Sequence, residues 1–348
     1  MIPALIMLRT TMIEEKVTKN NSSIRLDKYL AKLLPQAPMG LIYKQLRKKN
    51  IVLNGKKATG NELLQEDDII RLFFSDETYS KLHAAAGAKS IGSNNEYSAA
   101  YSSLKNIEIL YEDDNIIALN KPAGILSQKA TAHDKSVNEW LIGYMQSKGL
   151  LTTDSLQMFK PSAMNRLDRN TSGIILCAKT LLGSNVLSEL IRTRAVKKYY
   201  RTFVAGNLEG EGLLEGQLTK DSARNIVTIS ESNHSDDASA NRIATRYKSL
   251  AHYNNAMLGI EYTYTEVELI TGKSHQIRAH LSSIGHPLLG DEKYGNAKIN
   301  SALNKLGVHH QLLHSYRVEF PDDVAKLPNL NNLIIVCKEP KIYGNLEK

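Results

Sequence analysis

The chain has 348 residues, of which 42% are hydrophobic, and this length and composition suit a globular protein of two domains. Its formal net charge of +8 favours a polyanionic partner, and no apolar run approaches the ~18 residues that a membrane span needs. Two cysteines, Cys177 and Cys337, are too few for a disulfide framework or a zinc site and indicate a reducing, cytoplasmic environment.

The N-terminal part divides into a predicted flexible tail, residues 1–22, and a small basic domain, residues 23–75. An arginine interrupts the apolar start of the tail and no small-residue cleavage site follows, so a signal peptide is not expected. The basic domain carries ten Lys/Arg and five Asp/Glu. Apolar residues at helical spacing predict a first helix that ends at Pro35. An Asn54-Gly55 pair between two short strands predicts a hairpin.

A second helix is predicted over about residues 40–49, with Lys44, Arg47 and Lys48 on one face. Helix, basic helix and hairpin in this order resemble the S4-like RNA-binding domain. The matching stretches are IRLDKYLAKLL, GLIYKQLRKKNIVLNG and LQEDDII. The resemblance implies that the three cations contact RNA, and an ordinary solvated helix face is the alternative.

Residues 76–106 are rich in Ala, Ser, Asn and Gly without a clear period, which predicts a flexible linker. From residue 107 to 330, predicted strands outnumber helices. A doubly wound fold is disfavoured because regular βαβ alternation and a Gly-rich phosphate loop are missing. We therefore expect an α+β domain with a mixed, mainly antiparallel sheet, followed by a C-terminal strand and tail over residues 331–348.

A helix is predicted over about residues 274–285, ending at Gly285. Helical spacing places Arg278 beside an apolar stripe, pointing along the domain surface. His275 and His280 would lie ~140° apart on this helix, so no shared metal site is expected.

The densest polar cluster is the stretch NRLDRNTSG, which places Asp168 between Arg166 and Arg169 directly before a buried strand. Flanking arginines favour the ionised carboxylate. An ionised carboxylate suits a nucleophile or a base better than a general acid. A salt-bridged structural turn is the alternative interpretation.

Four motifs, in this order along the chain, resemble the RluA family of pseudouridine synthases. NRLDRNTSG is similar to the family signature HRLDxxTSG, and YEDDNIIALNKPAG is similar to its opening hairpin. VKKYYRTFVAG resembles its tyrosine-bearing strand, and ELITGKSHQIRAHLSSIGHPLLGDEKYG its closing motif. With the S4-like start, the resemblance covers about residues 23–320. It implies the pseudouridine synthase fold and isomerisation of uridine to pseudouridine in RNA without a cofactor or metal.

The resemblance also implies roles for individual positions. Asp168 matches the nucleophilic aspartate, which attacks the glycosidic carbon of the ribose or carbon six of the base, or acts through a ribose glycal. Tyr200 matches the tyrosine that stacks on the base and is a candidate to take the proton from carbon five. Arg278 matches the basic partner of the aspartate. Arg166 matches an arginine that helps to hold the RNA once the target nucleotide is flipped out. Asn165 stands where the family usually has His.

The substrate expected from the resemblance is a structured RNA. The chain most resembles the branch that acts on several uridines of large-subunit ribosomal RNA, free or in pre-ribosomal particles. We expect a cytoplasmic monomer. Modification of transfer RNA and a non-catalytic role as an RNA-binding factor in ribosome assembly are the alternatives.

Overall fold

Two β-sheets organise the chain, one of four strands in an N-terminal domain and one of eleven strands in a C-terminal domain, as far as the described residues show. None of the helices among the described residues is long and apolar enough to cross a membrane. The computed structural model describes residues 11–18, 21–83, 94–152, 155–156, 159–221, 226–230, 242–255 and 259–346.

The N-terminal domain packs helices against an antiparallel sheet of order β1-β4-β2-β3. Its elements are β1 (Thr11–Lys16), α1 (Leu26–Leu33), α2 (Met39–Arg47), β2 (Ile51–Leu53), β3 (Lys56–Lys57), β4 (Ile69–Phe74) and α3 (Asp76–His83). Asn54 and Gly55, both with positive φ, form the predicted hairpin turn between β2 and β3. The two helices and the hairpin that the sequence predicts are therefore confirmed.

The C-terminal domain is built on a sheet of order β11-β10-β12-β13-β9-β14-β8-β6-β5, with β15 paired to β14 and β7 to β8. Its strands are β5 (Glu108–Glu112), β6 (Ile116–Lys121), β7 (Ser162–Ala163), β8 (Ser172–Ala178), β9 (Lys197–Ala205), β10 (Glu211–Asp221), β11 (Ile226–Ser230), β12 (Arg242–Asn255), β13 (Ile260–Leu269), β14 (Leu313–Glu319) and β15 (Ile334–Val336). Its helices are α4 (Asn94–Ser103), α5 (Val137–Ser147), α6 (Leu181–Arg192), α7 (Gln276–Ser283), α8 (Ala297–Asn304) and α9 (Lys341–Leu346).

The pairing of these strands confirms the expected mixed, mainly antiparallel α+β domain. Only β14 and β8 pair in parallel among the described strands. Gly173 makes this close pairing possible. Its φ is +105°, and a Cβ there would lie 2.1 Å from the Ser315 carbonyl oxygen. The chain segment before β8, which carries Asp168, is thereby held next to β14, inside the sheet.

The predicted N-terminal tail is wrong for its second half. Residues Thr11–Lys16 form the edge strand β1, which pairs along the whole of β4, and Val17 is fully buried. Pairing with β4 satisfies the backbone hydrogen bonds of β1. The apolar residues Ile13 and Val17 do not form a pattern long enough to predict a strand from the sequence. Residues 1–10 lie outside the described residues.

The predicted linker over residues 76–106 is too long, because it contains a helix at each end. In α3, the His83 Nδ1 atom lies 2.8 Å from the Leu33 carbonyl oxygen of the N-terminal domain. In α4, Tyr97 is buried in the core of the C-terminal domain. One aromatic residue in each helix makes the contact, and a single residue changes the composition of the segment too little to predict a packed helix. The middle of the predicted linker, residues 84–93, lies outside the described residues.

The C-terminal segment forms the expected strand, β15, but the predicted tail after it contains helix α9. Tyr343 and Leu346 of α9 are buried beside Phe203. The Tyr343 hydroxyl donates a hydrogen bond to the Arg201 carbonyl at 3.2 Å. The buried side chains of Tyr343 and Leu346 hold the helix against the sheet, although the sequence shows no extended apolar stripe.

Candidate active site

A cleft of about 880 Å³ opens in the C-terminal domain beside the loop over residues 165–170. The described residues of its walls include nine Lys or Arg side chains and two carboxylates, Asp168 and Glu292, which gives these residues a formal excess of seven positive charges. Low-dielectric walls of one sign focus the field on an anionic ligand. The cations are Arg166, Arg169, Arg192, Arg194, Lys198, Arg242, Lys273, Arg278 and Lys293.

The Asp168 carboxylate lies at the wall of this cleft, partly exposed. Its Oδ2 atom accepts a hydrogen bond of 3.0 Å from Nη1 of Arg278, 110 residues further along the chain. Its sequence neighbours, Arg166 and Arg169, are exposed. The cation that holds the carboxylate is therefore Arg278, and the flanking arginines are free to face a ligand in the cleft.

The Arg278 guanidinium is buried between two carboxylates. It donates to Asp291 from Nε at 2.6 Å and from Nη2 at 2.8 Å, and to Asp168 from Nη1. Burial alone would raise the pKa of Asp291, but the hydrogen bonds and the charge of Arg278 lower it below its ordinary value. The prediction that Arg278 points along the surface is wrong, because the fully buried Asp291 draws the guanidinium inward.

Tyr200 lies on β9 and lines the same cleft as Asp168. It is 3% exposed. Burial raises the pKa of its hydroxyl well above the ordinary value, and the charge of Asp168 raises it further. Tyr200 is therefore a neutral phenol at pH 7, whose ring borders the space in front of the carboxylate.

The hairpin loop after β6 supports the backbone of the Asp168 loop. Lys121 is fully buried, and its ammonium donates to the carbonyls of Pro122, Ile125 and Arg169 at 3.1, 2.8 and 3.0 Å. Burial lowers the pKa of Lys121 to about 7, whereas the charge of Asp168 raises it. The three carbonyl acceptors favour the ammonium form, so Lys121 fixes the chain directly after Asp168.

Two further side chains, Ser127 and Asn165, hold the chain directly before Asp168. The Ser127 hydroxyl donates to the Leu167 carbonyl at 2.9 Å and accepts from the Leu167 amide at 3.0 Å. The Asn165 Oδ1 atom accepts a hydrogen bond of 2.7 Å from the Leu176 amide of β8. Asn165, which stands where the family usually has His, therefore ties the loop to the sheet.

His275 was not expected in this site. Its backbone is left-handed, with φ at 56°, so it precedes α7 and does not belong to the helix face that we predicted. Its Nε2 lies 3.8 Å from the Asp168 Oδ2, and its Nδ1 lies 3.1 Å from the Tyr294 hydroxyl. Burial lowers the pKa of His275. His280 instead lies within α7, where its Nδ1 is 2.7 Å from the Thr245 hydroxyl.

The remaining predicted RNA-binding residues lie in two different places. Arg166 is exposed at the wall of the cleft. Lys44, Arg47 and Lys48 are exposed on α2 of the N-terminal domain. The described residues that line the cleft all come from the C-terminal domain, so the structure does not place the α2 cations in the cleft wall.

The chain is similar in sequence to known RNA pseudouridine synthases. The family model described as RNA pseudouridylate synthase matches residues 115–283. The ribosomal large subunit pseudouridine synthase C of Rickettsia bellii is 32% identical over 314 residues, which cover 89% of this chain and 96% of that protein. The protein of the same name from Haemophilus influenzae is 29% identical over 315 residues, covering 87% and 85%.

The fold has a counterpart among solved structures. The human protein RNA pseudouridylate synthase domain containing 4 superposes with a TM-score of 0.54 at 24% sequence identity, covering 72% of this chain and 94% of that one. Because the sequence identity is below 25%, this similarity shows only that the two proteins share a fold. The family match, the identity to relatives over most of the chain and the fold together confirm what the motifs predict: the chain belongs to the RluA family of RNA pseudouridine synthases, and it is an RNA pseudouridine synthase.

Proposed function

We propose that this enzyme isomerises specific uridines of large-subunit ribosomal RNA, with the Asp168 carboxylate as the nucleophile or, in the glycal route, as the base. The observation that carries the proposal is the Asp168 carboxylate, held by Arg278 at the wall of a cleft with a formal excess of seven positive charges. Two relatives that share most of their length with this chain are named for the large ribosomal subunit, which supports ribosomal RNA as the substrate.

The reaction breaks the bond from the ribose to N1 of uracil and forms a bond from the same carbon to C5. A proton leaves C5 and another is gained at N1, so no atoms are added or lost. In the proposed mechanism, Asp168 either removes a ribose proton, giving a glycal, or adds to carbon six of the base. Both routes need an ionised carboxylate with a fixed direction. Arg278 supplies that direction, and the buried Asp291 holds Arg278.

Tyr200 and Arg166 are proposed to hold the flipped nucleotide. A neutral phenol offers its ring face to the uracil and is a poor base, so stacking suits Tyr200 better than removal of the C5 proton. Flipping a base out of its stack costs a few kcal/mol. Contacts from Arg166 and the other cleft cations to RNA phosphates would offset this cost.

The substrate assignment can be tested with purified protein and RNA transcripts labelled with tritium at C5 of uridine. We expect tritium release from unmodified large-subunit ribosomal RNA without added metal or cofactor. Transfer RNA transcripts of the same specific activity serve as the comparison. Faster release from transfer RNA would contradict the assignment of ribosomal RNA as the substrate. No release from either RNA would contradict isomerisation of uridine by the purified protein without a metal or cofactor.

The N-terminal domain is proposed to be an S4-like module that binds RNA through Lys44, Arg47 and Lys48. Its helix pair, hairpin and exposed α2 cations support this proposal. We also propose that the protein acts as a cytoplasmic monomer. Both cysteines are buried free thiols, as suits a reducing compartment.

Replacing Lys44, Arg47 and Lys48 together by serine is expected to weaken RNA binding. Because each phosphate contact contributes about 0.7 to 0.9 to the slope of log affinity against log salt, the slope should fall by about 2 to 3. Fluorescence anisotropy with a ribosomal RNA fragment across a salt series measures both quantities. A matched control replaces exposed lysines outside the cleft by serine, namely Lys326, Lys338 and Lys341. Equal slopes for the two triple variants would exclude the α2 contact.

A further inference from the structure

Three lysines are buried in the described part of the chain, and they differ in their partners. The ammonium of Lys121 has three carbonyl acceptors. The ammonium of Lys179 binds Glu112 at 2.6 Å and the Asp113 carbonyl at 2.8 Å. Lys198 is only 8% exposed, yet no described residue gives its ammonium a hydrogen bond or an ion pair. Lys198 lines the cleft, so a ligand in the cleft is the partner within reach of its ammonium.

The surroundings of Lys198 are suited to an anion. Burial, and after it the positive charge of Arg194, lower the pKa of Lys198, and no described carboxylate opposes them. Its Nζ lies 3.8 Å from the position that a Cβ on Gly272 would occupy, so the absence of a side chain there leaves space beside the ammonium. Arg194 and Lys198 both line the cleft. An anion bound there would supply the missing counter-charge.

The position of Lys198 on β9 indicates which anion is in reach. Lys198 and Tyr200 are two residues apart on one strand, so their side chains lie on the same side, about 7 Å apart along the strand. Both line the cleft. If the target base stacks on Tyr200, the anion nearest to Lys198 is a backbone phosphate within about one nucleotide of that base.

We propose that Lys198, together with Arg194, forms a binding site for a backbone phosphate next to the target uridine. This inference rests on the proposed function, because it takes its register from a base stacked on Tyr200. In the free enzyme the Lys198 side chain is mostly buried at the cleft wall, and no described residue provides a counter-charge. In the complex the phosphate neutralises it, and the target nucleotide is fixed against the Asp168 carboxylate.

The test compares Lys198→Met with Lys197→Met, the exposed neighbour on the same strand. Because Lys198→Met removes a mostly buried ammonium that the charge of Arg194 disfavours, and because it keeps a side chain of similar length, Tm should rise by about 2 °C or more. Affinity for a large-subunit ribosomal RNA transcript should fall about tenfold, and the salt slope by about 0.7 to 0.9. Lys197→Met should change Tm by less than about 1 °C and RNA affinity by less than about threefold.

A binding readout and a stability readout keep this test independent of the isomerisation itself. Inorganic phosphate should raise the Tm of the wild type and of Lys197→Met more than that of Lys198→Met, at ionic strength matched with chloride. The difference between variants removes the general stabilising effect of phosphate on proteins. A Lys198→Met protein that melts lower, fails to fold or binds RNA as tightly as the wild type would overturn the proposal. An enzyme that shows this phosphate pattern but releases no tritium would contradict the proposed function alone.

Discussion

Replacing Asp168 by asparagine is expected to lower kcat by at least about 10³-fold, with little change in RNA affinity. The amide has the size of the carboxylate, and its oxygen can still accept the hydrogen bond from Arg278. It is not a nucleophile and does not accept a proton at neutral pH, so either proposed route stops at its first step. Single-turnover release of tritium from C5-labelled ribosomal RNA measures the effect on the chemical step.

The matched control for this variant is Glu292→Gln, which removes the other carboxylate from the cleft wall. We expect this control to keep kcat within about threefold of the wild type, since Glu292 is exposed and has no contact with Asp168 among the described residues. Fluorescence anisotropy should show RNA affinities within about threefold of the wild type for both variants. Wild-type kcat in Asp168→Asn would exclude Asp168 as the nucleophile.

Replacing Asp291 by alanine is expected to lower the free energy of unfolding by about 3–5 kcal/mol. Arg278 would lose both hydrogen bonds that hold its Nε and Nη2 atoms and would stay buried with only the partly exposed Asp168 as counter-charge. Asp291 also accepts hydrogen bonds from the amides of Lys293 and Tyr294 at 2.9 and 3.0 Å, so the turn after α7 would loosen as well. Chemical denaturation followed by circular dichroism measures the loss.

The same variant should also lose activity, because Arg278 would no longer hold a fixed position beside Asp168. Asp322→Ala, an exposed carboxylate in the same domain, provides the control and should change the free energy of unfolding by less than about 0.5 kcal/mol. A loss below about 1 kcal/mol in Asp291→Ala would show that Arg278 is held in some other way.

Much of the site was predictable because its residues lie in motifs that are continuous in sequence. The stretch NRLDRNTSG identified Asp168, and the closing motif identified Arg278 as its partner, although 110 residues separate them. The mixed antiparallel sheet followed from the excess of predicted strands over helices and from the absence of regular βαβ alternation. These predictions rest on local chemistry and order along the chain, which a sequence displays directly.

The supporting residues were not predictable in the same way, because their roles arise only in three dimensions. Nothing in the stretch GDEKYG shows that the Asp291 carboxylate turns inward to a buried guanidinium. Nothing in the stretch NKPAG shows that the Lys121 ammonium binds a carbonyl 48 residues away. His275 was assigned to a helix face, but its backbone is left-handed and the helix begins one residue later, at Gln276.

The distribution of charge along the sequence also predicted only part of the proposed RNA-binding surface. Counting along the sequence favoured residues 23–75, where basic residues are dense. The cleft instead collects its nine cations from separate loops and strands, so no single stretch stands out. Lys198 shows the same limit most clearly, because burial without a counter-charge can be seen only when the structure shows what surrounds it.

The most direct measurement is nucleotide-resolution mapping of pseudouridine in total RNA from cells that lack the gene, complemented with the wild type or with Asp168→Asn. We expect specific sites in large-subunit ribosomal RNA to lose pseudouridine in the deletion, to regain it with the wild type and to stay unmodified with Asp168→Asn. Lost sites confined to transfer RNA, no lost site, or sites restored by Asp168→Asn would each contradict this account of the enzyme.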